Sequence, residues 1–159
     1  MAGFRTDTSR TKRLAAAAAA AASIAAGFEG VRQYAYYDAR PGNPILTVCY
    51  GSTTQVEKGK KYSMAECRAR LDADMLKAVV AVDNCHPDLP DSVLIAFSDA
   101  AYNIGPRVAC RGQASKYLSE KNYTAACNEL LRWNRSNGVV LKGLTKRRES
   151  EYKLCIGGN

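Results

Sequence analysis

The sequence predicts an α+β fold in which a small β-region stands beside a mainly helical lobe, with a groove between the two. Three observations lead there. Tyr34, Tyr36 and then Ile45 to Tyr50 alternate between turn signals, which confines strands to about residues 34 to 56. Most of the remaining chain repeats its apolar residues at helical spacing. A length of 159 residues suits one core of ordinary size.

The elements follow in order. Arg5, Arg10, Lys12 and Arg13 precede Leu14 to Phe28, a stretch with ten alanines and no charge before Glu29. A basic flank before an apolar run is the pattern of an export signal. Yet fifteen residues at about 1.5 Å each reach only about 22 Å, short of a roughly 30 Å hydrocarbon core, so insertion would be marginal and reversible. The plain alternative is a soluble alanine helix packed on the domain. Downstream, Ser63-Met64-Ala65-Glu66 is a capping-box pattern, and Met64, Cys67, Leu71, Met75 and Val79 form the inward face of the helix it opens. Asp88-Leu89-Pro90-Asp91 breaks that helix, and Asp91 or Ser92 is expected to cap the next, with Leu94, Phe97 and Ala101 inward. Tyr102-Asn103-Ile104-Gly105-Pro106 ends it, and helices over 124–133 and 145–155 complete the lobe.

Chemistry enters at Gly27-Phe28-Glu29-Gly30. Asp38 stands nine positions after Glu29, and Thr47 nine after Asp38. Breaking a glycosidic bond at neutral pH needs one protonated carboxyl to donate to the leaving oxygen and one ionised carboxyl to act as base or nucleophile. Glu29 follows an apolar segment whose desolvation would keep a proton on it, whereas Asp38 sits in a polar, turn-rich region that would leave it ionised. Thr47, on a short strand, would hold the attacking water. Alone, this spacing is weak evidence, because turns select Asp for their own backbone hydrogen bonds.

Six cysteines, Cys49, Cys67, Cys85, Cys110, Cys127 and Cys155, include no Cys-x-x-Cys pair, and His86 is the one histidine, so neither a zinc site nor any other metal is expected. They read as disulfides formed in an oxidising compartment, for a bacterial host the periplasm. Of the fifteen possible pairings, the expected one joins Cys127 to Cys155 on adjoining C-terminal helices, Cys49 to Cys67 and Cys85 to Cys110. His86, before Pro87 in a turn, is expected at the surface. The 23 basic against 15 acidic residues give a formal charge of +8, a bias toward polyanions that does not choose among them. There is no internal repeat, phosphate loop or nucleotide motif, and no specific nucleic-acid partner is expected.

From Phe28 to Cys155 the chain resembles the phage-type lysozymes, the T4-like and lambdoid endolysins of glycoside hydrolase family 24, and more closely the branch with an N-terminal signal-anchor-release segment. The resemblance rests on Phe28-Glu29-Gly30-Val31, Tyr36-Tyr37-Asp38, Leu46-Thr47-Val48-Cys49-Tyr50-Gly51, Ala96-Phe97-Ser98-Asp99-Ala100-Ala101-Tyr102-Asn103-Ile104-Gly105, Ala126-Cys127-Asn128-Glu129-Leu130-Leu131-Arg132-Trp133 and Lys142-Gly143-Leu144-Thr145-Lys146-Arg147-Arg148-Glu149-Ser150-Glu151, all in the family's order. The 38–47 stretch is about three residues longer than usual, with Asn43-Pro44-Ile45 as the insertion, and Ser52 stands where a histidine is common.

The resemblance implies a lysozyme-like fold and hydrolysis of the β-1,4 bond between N-acetylmuramic acid and N-acetylglucosamine in peptidoglycan for host cell lysis. Glu29 would be the general acid, Asp38 the carboxylate on the water side and Thr47 the water-positioning hydroxyl, with no cofactor. Residues 1–28 would form the basic N-terminus and signal-anchor-release helix, and residues 29–159 the catalytic domain. The protein would be exported as a monomer, tethered transiently to the inner membrane through residues 14–28, and then released into the periplasm. Tyr102, Asn103 and the Arg147-Arg148-Glu151 cluster are expected to line or brace the groove. Their structural alternatives are Asn103 as a helix cap, Trp133 as core, and Arg148 as a buried ion-pair partner of Glu29 or a nearby acid. Two other functions compete: a non-enzymatic cationic protein that perturbs membranes, and a lytic transglycosylase, against which Asp38 in its motif argues.

Overall fold

A computed structural model describes residues 8–39 and 42–157; Arg5 of the basic flank and the Arg40-Pro41 step of the turn lie outside them. The element order is α1 (Thr8–Phe28), β1 (Arg32–Asp38), β2 (Ile45–Cys49), α2 (Met64–Cys85), α3 (Asp91–Ile104), α4 (Arg107–Cys110), α5 (Gly112–Ser119), α6 (Tyr123–Leu130), β3 (Arg135–Ser136), β4 (Val139–Val140) and α7 (Lys142–Gly157). This is the α+β arrangement expected from the sequence: a two-stranded sheet beside a helical lobe.

Alanine supplies the helix propensity of α1, and Leu14, Ala17, Ala18, Ala21, Ala22 and Ala25 form its buried stripe against α2 and α3. The outward side of the same helix, at Ala15, Ala16, Ala19 and Ala20, is also alanine. Its N-terminal turns are tied down by charge. Arg10 pairs with the buried Asp83, and Arg13 bonds Asp91 at 2.9 Å and the Leu89 carbonyl. No helix among the described residues is long and apolar enough to cross a membrane.

Strands β1 and β2 pair antiparallel with Tyr36 opposite Thr47 and Asp38 opposite Ile45, and the register shifts between Arg32 and Tyr36. Two cores result. Val48, Cys49, Tyr62 and Cys67 pack under the sheet, while the larger core is built around α3 and includes Leu71, Met75, Leu94, Phe97 and Leu130. The cysteines pair as Cys49–Cys67, Cys85–Cys110 and Cys127–Cys155, tying β2 to α2, α2 to α4 and α6 to α7.

Several details differ from the sequence expectation. The Ser63–Glu66 capping box is present, but Met64 lies outside the α2 stripe and is exposed. Helix α3 starts after Pro90, with no side-chain cap from Asp91 or Ser92. His86 is buried, because its ring reaches back from the end of α2 to the Ala109 carbonyl at 2.8 Å and the Ser115 hydroxyl at 3.0 Å. Trp133 is 44% exposed and lines a surface cleft of about 310 Å³ with Arg111, Gln113 and Arg132. Helices α4 and α5 and the β3–β4 hairpin are additional elements.

Candidate active site

The groove between sheet and helical lobe has a volume of about 340 Å³, and Glu29, Asp38 and Thr47 all line it. Glu29 arrives from α1. Its N–H still donates to the Ala25 carbonyl at 2.8 Å, so the carboxyl projects from the last turn of that helix. Asp38 ends β1, and Thr47 lies deep in β2, opposite Tyr36. The Thr47 hydroxyl donates to the Ile45 carbonyl at 2.9 Å.

Beyond β2 the chain must turn back sharply beneath the groove. Cys49 and Gly51 take φ of 62° and 97°, and the N–H groups of Gly51 and Ser52 donate to the Val48 carbonyl at 3.2 and 2.9 Å. The turn points the Tyr50 carbonyl at α3, where the Tyr102 hydroxyl donates to it at 2.8 Å. Gly51 is suited to this turn by its positive φ, which other residues rarely adopt. Burial, reinforced by the nearby Glu29 charge, raises the Tyr102 phenol above its ordinary range and keeps it a neutral donor. Tyr102 and Asn103 both line the groove.

The acid end of the groove is held by a buried charge cluster that the sequence only partly reveals. Glu29 meets Arg147, not Arg148: Nη1 of Arg147 donates to Oε1 of Glu29 at 2.6 Å. The carboxyl is 31% exposed and faces a guanidinium, so its surroundings are not the apolar ones expected from the preceding segment. Arg147 is fixed in turn by a two-pronged bond to the buried Asp99, at 3.0 and 2.9 Å, and lies over the Phe28 ring. Burial alone would weaken its charge, but the hydrogen bonds and charges of Asp99 and Glu29 outweigh that and raise its pKa.

Arg148 does not line the groove but is fully buried behind it, as the buried ion-pair alternative has it, with Glu151 as the acid. Its Nη2 donates to Glu151 Oε1 at 2.7 Å and to Asn103 Oδ1 at 2.8 Å. Burial lowers the Arg148 pKa. Burial and a hydrogen bond with Asp99 push Glu151 up to about 9. Three carboxyls, Glu29, Asp99 and Glu151, thus face two guanidiniums, and Glu151 is the one that burial and Asp99 push toward the protonated form.

Consecutive arginines on a helix point about 100° apart, so the phase of α7 alone decides which of Arg147 and Arg148 reaches Glu29. Asp99 and Glu151 both lie in matched motifs, but nothing local marks them as partners. Among the described residues, no cluster of three His, Cys, Asp or Glu is arranged to hold a metal ion.

Comparison with known proteins agrees with this architecture. Residues 26–151 match the phage lysozyme family model. A SAR-endolysin of bacteriophage PS119 is 33% identical over 134 residues, covering 83% of this chain and 78% of the relative. The active form of the P1 phage endolysin Lyz superposes with a TM-score of 0.75 at 26% identity, covering 87% of this chain and 84% of that one. The secreted inactive form of Lyz reaches 0.52, at 26% identity over 66% of this chain and 76% of that one. The muramidase domain of SpmX from Asticaccaulis excentricus gives 0.76 at 27% identity, covering 86% and 95%. With the family model spanning α1's last turn through most of α7, and endolysins sharing both sequence and fold, the chain belongs to the phage lysozyme family and is a glycoside hydrolase.

Proposed function

We propose that the protein is an endolysin muramidase that hydrolyses the β-1,4 bond between N-acetylmuramic acid and N-acetylglucosamine in peptidoglycan. The observation that supports this most is the single groove that Glu29 enters from the helical side and Asp38 and Thr47 from the sheet side. In this reading Glu29 gives its proton to the glycosidic oxygen as that oxygen leaves C1. Asp38 takes a proton from the water whose oxygen bonds C1. Thr47 has spent its hydroxyl hydrogen on Ile45, so its lone pairs are left to accept from that water and turn the water's own lone pair toward the sugar. Attack by water on the face opposite the leaving group inverts the anomeric centre. Arg147, anchored on Asp99, keeps the Glu29 carboxyl pointed in one direction.

The test is mass spectrometry of peptidoglycan fragments released by the protein and by Glu29→Gln. Fragments with reducing N-acetylmuramic acid ends, absent with the variant, are the expected result. Anhydro ends would replace the reading with a lytic transglycosylase, and equal release by the variant would remove Glu29 from its role.

The N-terminal residues 1–28 are, in the same proposal, an anchor that tethers the exported monomer to the inner membrane and then leaves it for the periplasm. Two features support this. Alanine covers both the buried and the exposed sides of α1, with no charge from Leu14 to Phe28. None of the three disulfides reaches α1, so it can leave the covalently closed body. Fractionation of host cells tests it: Ala20→Leu combined with Ala16→Leu, on the exposed side, is expected to hold the protein in the membrane fraction. Unchanged distribution would count against an anchor.

A further inference from the structure

Asn103 lines the groove while its side chain is gripped from behind, and the grip decides which end of the amide faces the substrate. An arginine side chain has donors and no acceptor, so only the carbonyl oxygen of the amide can meet Arg148 Nη2. That contact, at 2.8 Å, removes the usual ambiguity between the two ends of an asparagine amide. Arg148 cannot swing to offer another arrangement, because it is fully buried and held by Glu151 at 2.7 Å. The Asn103 Nδ2 group is therefore the free end, and no acceptor among the described residues takes its protons. An amide donor held on a groove wall with both N–H bonds unspent is built for an acceptor that arrives with the ligand.

The nature of that acceptor follows from the charges around it. Arg147 is consumed by Asp99 and Glu29, and Arg148, whose Nε and Nη1 have no partner, is fully buried behind the wall, so neither guanidinium is presented to an anion in the groove. Glu29 on the same groove disfavours a carboxylate further. A neutral carbonyl oxygen fits both conditions. Resting on the muramidase reading, we infer that Asn103 is a specificity-determining residue that donates from Nδ2 to the acetamido carbonyl of an N-acetylated sugar, and that Arg148 with Glu151 is its positioning relay.

Asn103→Asp tests this with little change of shape, since a carboxylate keeps an oxygen on Arg148 and loses the donor; it also adds a negative charge beside Glu29, so the uncharged Asn103→Leu is measured with it. Steady-state kinetics would be measured for the parent and the variant on intact peptidoglycan and on the same material treated with a peptidoglycan deacetylase. On acetylated substrate the variant is expected to raise KM about 5- to 10-fold, the worth of one neutral hydrogen bond, with kcat within about 2-fold. On de-N-acetylated substrate the parent should fall toward the variant, and the substitution should then cost almost nothing. Asn103→Leu, with neither oxygen nor donor, should show the same dependence on the acetyl group.

Equal losses on both substrates would assign Asn103 a structural role and overturn the inference, as would a loss confined to kcat or no loss at all. Failure of the parent to release fragments from either substrate would overturn the muramidase reading itself and this inference with it. The two failures are thus told apart by the parent alone.

Discussion

Helices α1 and α7 both pack against α3, yet they are held by opposite kinds of force. The buried stripe of α1 is one leucine and five alanines, which bind by close contact and have no directional preference. The buried stripe of α7 is Arg147, Arg148, Glu151 and Cys155, bound by charge-assisted hydrogen bonds and a disulfide to α6. This contrast determines how the acid end of the groove is assembled. α7 is a fixed receptor, and α1 delivers Glu29 to it. The carboxyl reaches Arg147 only when the alanine face is seated, so docking of α1 and formation of the Glu29–Arg147 contact are one event.

Arg147→Met should separate the two helices most sharply. It strands the buried Asp99 without its counter-charge and is expected to cost about 3–5 kcal/mol in urea unfolding, while releasing Glu29 from its fixed direction. A cost below about 1 kcal/mol would show that the cluster is not what holds α7. Removing the covalent tie with Cys127→Ser and Cys155→Ser together should cost roughly 3 kcal/mol in the same measurement, as expected for a loop of this length. Stability equal to the parent's would mean that the noncovalent contacts of α7 suffice.

The charge cluster also sets a pH dependence. Glu151 holds its proton up to about 9 in the folded chain and releases it in the ordinary carboxylate range when unfolded, so the folded state binds more protons between those limits. Its contribution is fully present below the unfolded pKa and is lost as pH rises toward 9. Melting temperature should therefore fall across that window, and Glu151→Gln should flatten this part of the curve. A parent whose stability rises from pH 5 to 9 would contradict the raised Glu151 pKa.

On α1 the effects are smaller. Ala21→Leu inserts bulk at a fully buried position and should cost about 1–3 kcal/mol, with Glu29 displaced and activity lost in proportion. Asp83→Asn removes the counter-charge of Arg10, a half-exposed partner, and should cost about 1 kcal/mol or less. Loosening confined to α1, read by hydrogen exchange of residues 8–28, would show that it behaves as a separable unit.

Local motifs carried most of what the sequence revealed. The Ser63–Glu66 box needs only four residues to specify a helix start, and Glu29, Asp38 and Thr47 are read from short segments on either side of one turn. The three disulfide pairs named from the sequence are those in the structure, because successive cysteines fall on elements that pack as neighbours. What was not legible depends on tertiary phase. Nothing near Arg148 says that its neighbour Arg147 takes the Glu29 contact, and nothing near His86 reveals the Ala109 carbonyl that buries it. The β3–β4 hairpin did leave a signal in Asn137-Gly138, whose φ values of 48° and 78° are those of a tight hairpin turn. Helices α4 and α5 are too short to establish a period.

Alanine on every side of α1 has one more consequence. A rod with the same surface all round can roll in its seat, since each rotation of about 100° presents another strip of methyl groups of the same height. Its angular setting is therefore stored at its two ends, with Leu14, Arg10 and Arg13 at one and Glu29 at the other. Deleting a single alanine from the run at 15–22 would leave composition and helicity nearly untouched while putting those ends out of phase by more than a quarter turn. Either the arginines or the acid could then find their partners, but not both together.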